Sequence, residues 1–157
     1  MTDTASSAPL RRSVKVTAGP DRAFELFTKF AWWPKAYSIL ASKSPQAAVL
    51  IEPRAGGRWF ERGEDGSEAD WGKVISIEKP SRLVVTWQLG PDYLYHPEFP
   101  TEVEMTFAAD HPKGTTVTLE HRHFDRFGAE GEAMRASVAG PQGWEALLQG
   151  YAEAASG

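Results

Sequence analysis

Cysteine is missing from this chain of 157 residues. Disulfides and thiolate metal sites are therefore excluded, and a reducing compartment such as the cytoplasm fits. A long apolar run is missing too. No window approaches the ~18 residues of a membrane-spanning helix, so no membrane partner is expected. Positive charge is not in excess: 17 Lys and Arg stand against 21 Asp and Glu, for a net charge of −4. Such a surface does not neutralise phosphates, and nucleic acid is not an expected partner. The opening "MTDTASSAPL" holds neither a basic segment nor an apolar core, so it reads as neither a secretory signal nor an anchor. Residues 1–8 are expected to be a disordered tail ahead of a single domain over 9–157. What the chain has in quantity is tryptophan, six residues of it. Indoles are large and costly to hide without a big core or a cavity.

Hydrophobic periodicity places the elements. "LRRSVKV" alternates and reads as a first strand. "GPDRAFELFTKF" reads as a helix, with Gly19 as its cap, Pro20 at the first helical position, Asp21 at the positive end of the dipole and a stripe of Ala23, Phe24 and Phe27. "AWWPKAY" follows as a short helix or turn. Then come strands in "AAVLIE", "GGRWFER", "EADWGKVISIE", "RLVVTWQL", "TEVEMTFAA" and "GTTVTLEHRHF". Asp65-Gly66 marks a hairpin, and His111-Pro112-Lys113-Gly114 marks a turn. Connections this short suit antiparallel pairing. From Pro141 onward, Trp144, Leu147, Leu148, Tyr151 and Ala155 recur with helical spacing. Strands grouped between terminal helices mean an α+β fold, a curved antiparallel sheet of about six or seven strands around a long C-terminal helix.

Strand alternation then sorts the side chains by face. Trp59 and Glu61 share one face of the third strand. Val85 and Trp87 share one on the fifth, with Leu83 and Leu89. Met105 and Phe107 share one on the sixth with Val103, and Leu119, His121 and His123 share one on the seventh with Val117. The fourth strand is ambiguous, because Trp71, Ile75 and Ile77 fall on the same face as Lys73. A closed core avoids two His and a Glu, since unpaired buried polar groups cost free energy. Polar groups among aromatic walls suit a small-molecule pocket.

The segments "GPDRAFELFT", "WW", "EPRAGGRWFER", "DGS", "WGKVISIEKPSRLVVTW", "TEVEMTF", "GTTVTLEH" and "GWEALLQGYAEA" follow one another in an order that resembles the Hsp90-ATPase-activator-homologue family. That family lies within the START-like, or Bet v 1-like (SRPBCC), superfamily, and the similarity runs from about Val14 to Ala155. The resemblance implies a helix-grip fold, with two short helices after the first strand and a cavity between sheet and last helix. It implies that Gly56 and Gly57 serve a strand entry. The residues agree, since "RAGGRW" lacks the spacing of a phosphate-binding loop and no helix follows it. Where the family often has His-x-Gly-Phe, this chain reads "HRHF", with His123 in the glycine position. The eukaryotic activators carry an extra N-terminal domain that engages the chaperone. A chain of this length leaves no room for one, so the fold carries over better than the chaperone role.

The expected function is binding of a small hydrophobic, aromatic or lipid-like ligand beneath the last helix. Trp59, Trp71, Val85, Trp87, Met105, Phe107, Leu119, Trp144, Leu148 and Tyr151 would supply the walls, and Glu61, His121 and His123 the orientation. A chaperone-associated or other partner-binding module, or a homodimer, is the alternative. A cyclase- or hydrolase-like enzyme is another; it requires Glu61 and His121 or His123 to meet at one point. On one strand face, His121 and His123 would lie about 6.5–7 Å apart, close enough to share a metal with Glu61 or His96. No spacing demands this, and no metal or cofactor is expected. Trp32, Trp33 and Tyr37 are read as wedges between the small helices and the sheet, or as the mouth of a cavity.

Overall fold

The structure is a computed structural model that describes residues 9–34, 38, 40, 42–89, 94–96, 98, 100–110, 114–126, 131–140 and 143–156. The expected tail at 1–8, Tyr37, the turn residues His111 to Lys113, and Pro141 lie outside the described residues.

Alternating side chains make the strands β1 (Leu10–Val16), β2 (Gln46–Ile51), β3 (Arg58–Gly63), β4 (Glu68–Glu78), β5 (Arg82–Trp87), β6 (Thr101–Ala109) and β7 (Thr115–Arg122). They form one seven-stranded antiparallel sheet in the order β1-β7-β6-β5-β4-β3-β2. The helices are α1 (Pro20–Lys29), α2 (Gly131–Ala139) and α3 (Trp144–Ser156). Helix α3 lies against β1, α1 and α2. This is the helix-grip arrangement, in which a sheet that coils with its own twist holds the last helix on its concave side. The sequence reading left 124–140 without an element. Helix α2 is nonetheless amphipathic, with Met134 and Val138 one turn apart and both buried. Residues 31–34 form a turn, one of the two forms expected of that stretch.

Cross-strand register defines the inner face. Leu83 pairs with Met105, Met105 with Leu119, Val85 with Val103, and Val103 with His121. All six are fully or almost fully buried. The outer face is wet. There Arg82 pairs with Glu104, Arg122 with Glu104 and Glu102, and Arg126 with Glu102. Half-exposed pairs of this kind each contribute little, and their main structural meaning is which way the sheet faces.

Two bulges settle the fourth strand. Trp59 pairs with Gly72 while Phe60 pairs with Asp70, so Trp71 is the extra residue and is buried. Val74 pairs with Val85 while Ser76 pairs with Val84, so Ile75 is the extra residue and is 43% exposed. Plain alternation had grouped Trp71 with Lys73 and Ile75; the bulges break that period and leave Lys73 and Ile75 outside. The Gly56-Gly57 pair performs its expected strand-entry role. Gly56 N–H donates to the Val74 carbonyl, Val74 N–H donates back to Gly57, and Gly56 sits at φ +84°.

Gly72 makes the first bulge possible, because a Cβ there would lie 1.9 Å from the Thr86 carbonyl oxygen. We predict that Gly72→Ala lowers stability by roughly 2 kcal/mol or more, read from the urea midpoint. Gly19→Ala, where nothing lies within 4 Å of the added methyl, should be near neutral in the same measurement.

Candidate functional site

Tryptophans meet at one end of the interior. Adjacent strands present Trp59, Trp71 and Trp87; the first turn of α3 brings Trp144; the turn after α1 brings Trp32 and Trp33. Trp33 lies 4.9 Å from Trp71 and 6.1 Å from Trp144 between ring centroids. Trp59 lies 5.3 Å from Trp71 and 5.8 Å from Trp87, and Trp87 lies 5.2 Å from Trp144. Trp32 touches Trp33 at 5.5 Å. All six indoles of the chain thus form one contact cluster, with Trp33, Trp59, Trp71, Trp87 and Trp144 buried. Trp33 is part of this cage. The cluster continues through Trp32 into Phe27 and Tyr151, which pack with Phe24 and Phe107; Phe27 lies 4.9 Å from Tyr151 and 5.1 Å from Trp32. There the Tyr151 hydroxyl donates to the Ala23 carbonyl at 2.8 Å and ties α3 to α1. Leu148 packs in the same buried core as Val85, Met105 and Leu119.

An indole offers one donor and no acceptor, so each N–H in this cage needs a partner from elsewhere. Trp32 donates to the Phe27 carbonyl at 3.1 Å, Trp71 to Glu61 at 2.9 Å, and Trp144 to His121 at 3.0 Å. Among the described residues, the buried Nε1 atoms of Trp33, Trp59 and Trp87 have no hydrogen-bond partner.

Glu61 is fully buried, as its place on the inner face of β3 requires. Besides the Trp71 indole, its carboxylate accepts from Ser38 Oγ at 2.6 Å and Gln46 Nε2 at 3.2 Å. It joins the segment after α1 to β2, β3 and β4. His121 is fully buried as well. Its Nδ1 accepts from Trp144, so Nε2 carries the proton and donates to Thr101 Oγ1 at 2.8 Å, and Thr101 in turn donates to the Trp87 carbonyl at 2.6 Å. The chain of bonds fixes one tautomer. Burial pushes the imidazole down from 6.5 to about 3, so it is neutral at ordinary pH.

His123 does not share this face, contrary to the alternation of β7. The strand ends at Arg122, and His123 turns into the left-handed region at φ +68°. Its side chain is 41% exposed and its Nε2 lies 3.7 Å from Glu102 on the outer face. The two imidazoles therefore cannot share a metal. Among the described residues no group of three His, Asp or Glu side chains is arranged to hold one. Glu61 and His121 lie on the same side of the sheet, but their bonds run to different partners and the Trp71 and Trp87 rings intervene. Sequence reasoning missed Ser38, Gln46 and Thr101. Thr101 was within reach, since it shares the alternation of Val103 and Met105. Ser38 and Gln46 carry no periodic signal.

The family model described as "Activator of Hsp90 ATPase homolog 1-like protein" matches residues 17–155. This chain belongs to that family. Among solved structures, it is similar to an anthrahydroquino-γ-pyrone synthase, Txn09, at 30% identity over 93% of this chain and 96% of that one, with a TM-score of 0.63. It is equally similar, at 30% identity, to the self-sacrificing resistance protein CalC from Micromonospora echinospora, over 95% of this chain and 94% of that one, with a TM-score of 0.67. CalU16 from the same organism shares the fold at 21% identity, over 92% of this chain and 71% of that one, with a TM-score of 0.59. A search of curated proteins finds no match. No helix among the described residues is long and apolar enough to cross a membrane.

Two predictions follow from the buried polar groups. The folded imidazole of His121 binds its proton less readily than the unfolded one, so between pH 6.5 and about 3 the unfolded chain holds more protons. Stability supplied above pH 6.5 is therefore lost on acidification, at about 1.4 kcal/mol per pH unit from this residue. Urea unfolding at pH 6.5 and 5.0 should show a smaller loss in His121→Gln than in the parent protein. Glu61→Ala strands Ser38, Gln46 and the Trp71 indole without their acceptor, and should cost about 3 kcal/mol or more by the same method.

Proposed function

We propose that this protein binds a small hydrophobic, aromatic or lipid-like molecule between the sheet and α3. The observation that carries this reading is the composition of that interior. Six indoles gather at one end under the last helix, with a carboxylate and a neutral imidazole among them. Flat aromatic faces supply dispersion and apolar area, while a few fixed polar groups orient a guest. Two proteins that share 30% of its sequence support it, one a synthase of an anthrahydroquino-γ-pyrone and the other a resistance protein. The partner-binding alternative would draw on exposed apolar surface. Among the described residues the large hydrophobic side chains that are exposed are Ile75 and Leu94, one on β4 and one in the segment before β6, so the interior is the better-equipped site.

Native mass spectrometry of the protein purified from its own host should show a retained small molecule. Titration with anthracene should quench the tryptophan emission saturably. Trp87→Phe, which keeps an aromatic ring but shortens it, should weaken that binding by about tenfold, a loss of about 1.4 kcal/mol. No retained molecule and no saturable quenching, in a protein shown to be folded, would sink this reading.

A further inference from the structure

The three unpartnered indole N–H groups add a chemical specification to that site. We infer that the guest is a neutral, flat, polycyclic carbonyl compound of the quinone or pyrone type, and that Trp33, Trp59 and Trp87 donate hydrogen bonds to its oxygens. The inference rests on the small-molecule reading above and narrows it.

The polar balance of the interior argues for it. Its buried carboxylate, its imidazole and the Trp87 carbonyl already hold donors. Glu61 takes donors from Ser38, Gln46 and Trp71; His121 Nδ1 takes the Trp144 indole; the Trp87 carbonyl takes Thr101. What remains on offer is donors, the Nε1–H groups of Trp33, Trp59 and Trp87, each on an atom sealed from solvent. A buried donor without a partner costs roughly 1–3 kcal/mol, so three of them form a standing penalty that acceptor atoms would remove. A guest bearing its own donors gains nothing from these groups. Charge is excluded by the same polar balance. Among the described residues the buried polar side chains are Gln46, Glu61, Gln88, Thr101, Thr115 and His121, with no lysine or arginine among them. An anionic guest would lose its hydration without a cation to replace it, and a cation would have to displace the donors that hold Glu61. Shape follows from the walls. Trp59 on β3 and Trp87 on β5 meet over β4 with ring centroids 5.8 Å apart, and Trp33 meets Trp59 edge to face at 6.3 Å, so the three rings make one continuous aromatic surface. Donors carried on the edges of such rings suit an oxygen on the rim of a flat guest.

The test compares 9,10-anthraquinone, anthracene and anthracene-2-carboxylate on the intact protein. The readouts are fluorescence quenching and the indole ¹H–¹⁵N resonances, assigned with single Trp→Phe variants. Anthraquinone should bind about a hundredfold tighter than anthracene, as three neutral hydrogen bonds would supply, and the carboxylate should bind more weakly than either. On adding anthraquinone, the Nε1–H signals of Trp33, Trp59 and Trp87 should move downfield relative to the anthracene complex. Those of Trp32, Trp71 and Trp144 should hold, because their protons are already engaged. Equal affinity for the quinone and the hydrocarbon, or three signals that fail to move, overturns the donor assignment and leaves small-molecule binding standing. Absence of binding by all three compounds overturns both.

Discussion

Indole carries a proton to give and no lone pair with which to receive one. A chain that buries a whole cluster of indoles therefore accumulates donors, and the buried carboxylate and imidazole of this interior answer to that surplus. The Phe27 carbonyl, the Glu61 carboxylate and the His121 ring each absorb one N–H. Glu61 is then not an odd charge in a core. It is an acceptor with enough lone pairs to serve an indole, a hydroxyl and an amide together. His121 is neutral for a related reason: burial disfavours its cation, and its unprotonated nitrogen is the one Trp144 needs.

The same acceptors also join distant parts of the chain. Glu61 holds the segment after α1 and strands β2 and β4 to β3, and His121 holds the first turn of α3 to β7. Tyr151 does the equivalent midway along α3, reaching to the backbone of α1. The last helix is thus fixed by one directed bond at its first residue and another two turns on, at Tyr151, with hydrophobic packing between. Helix α3 presents Trp144, Leu147, Leu148 and Tyr151 toward the sheet, and the spacing of those residues is the helical repeat itself.

Much of this could be read from the sequence, and the parts that could not have a physical cause. β6 shows unbroken alternation, so its face assignment and its ends, Thr101 and Ala109, followed from pattern alone. Glu61 and His121 were placed inward by the same rule. β4 resisted, because two bulges shift the period and no composition signal separates Trp71, which turns in, from Ile75, which turns out. His123 misled for the opposite reason. It continues the pattern of β7 in letters, but the strand has ended and the backbone has reversed its twist. The partners of Glu61 were hidden as well. A serine after α1 and a glutamine at the start of β2 meet that carboxylate only through tertiary folding, which local periodicity does not encode. The resemblance of the chain to its family supplied the order of elements, and the side-chain network came from the structure.

One topological fact bears on how the molecule is made. β1 pairs with β7, so Leu10 lies opposite His121, and Trp144 arrives later still. During vectorial synthesis at roughly 5–20 residues per second, the N-terminal strand and the hairpin carrying Trp59 and Trp71 leave the ribosome well before anything exists to cover them. The nascent chain thus carries an open, indole-rich surface for several seconds, and its vulnerability to aggregation is set by the order of translation rather than by the finished fold.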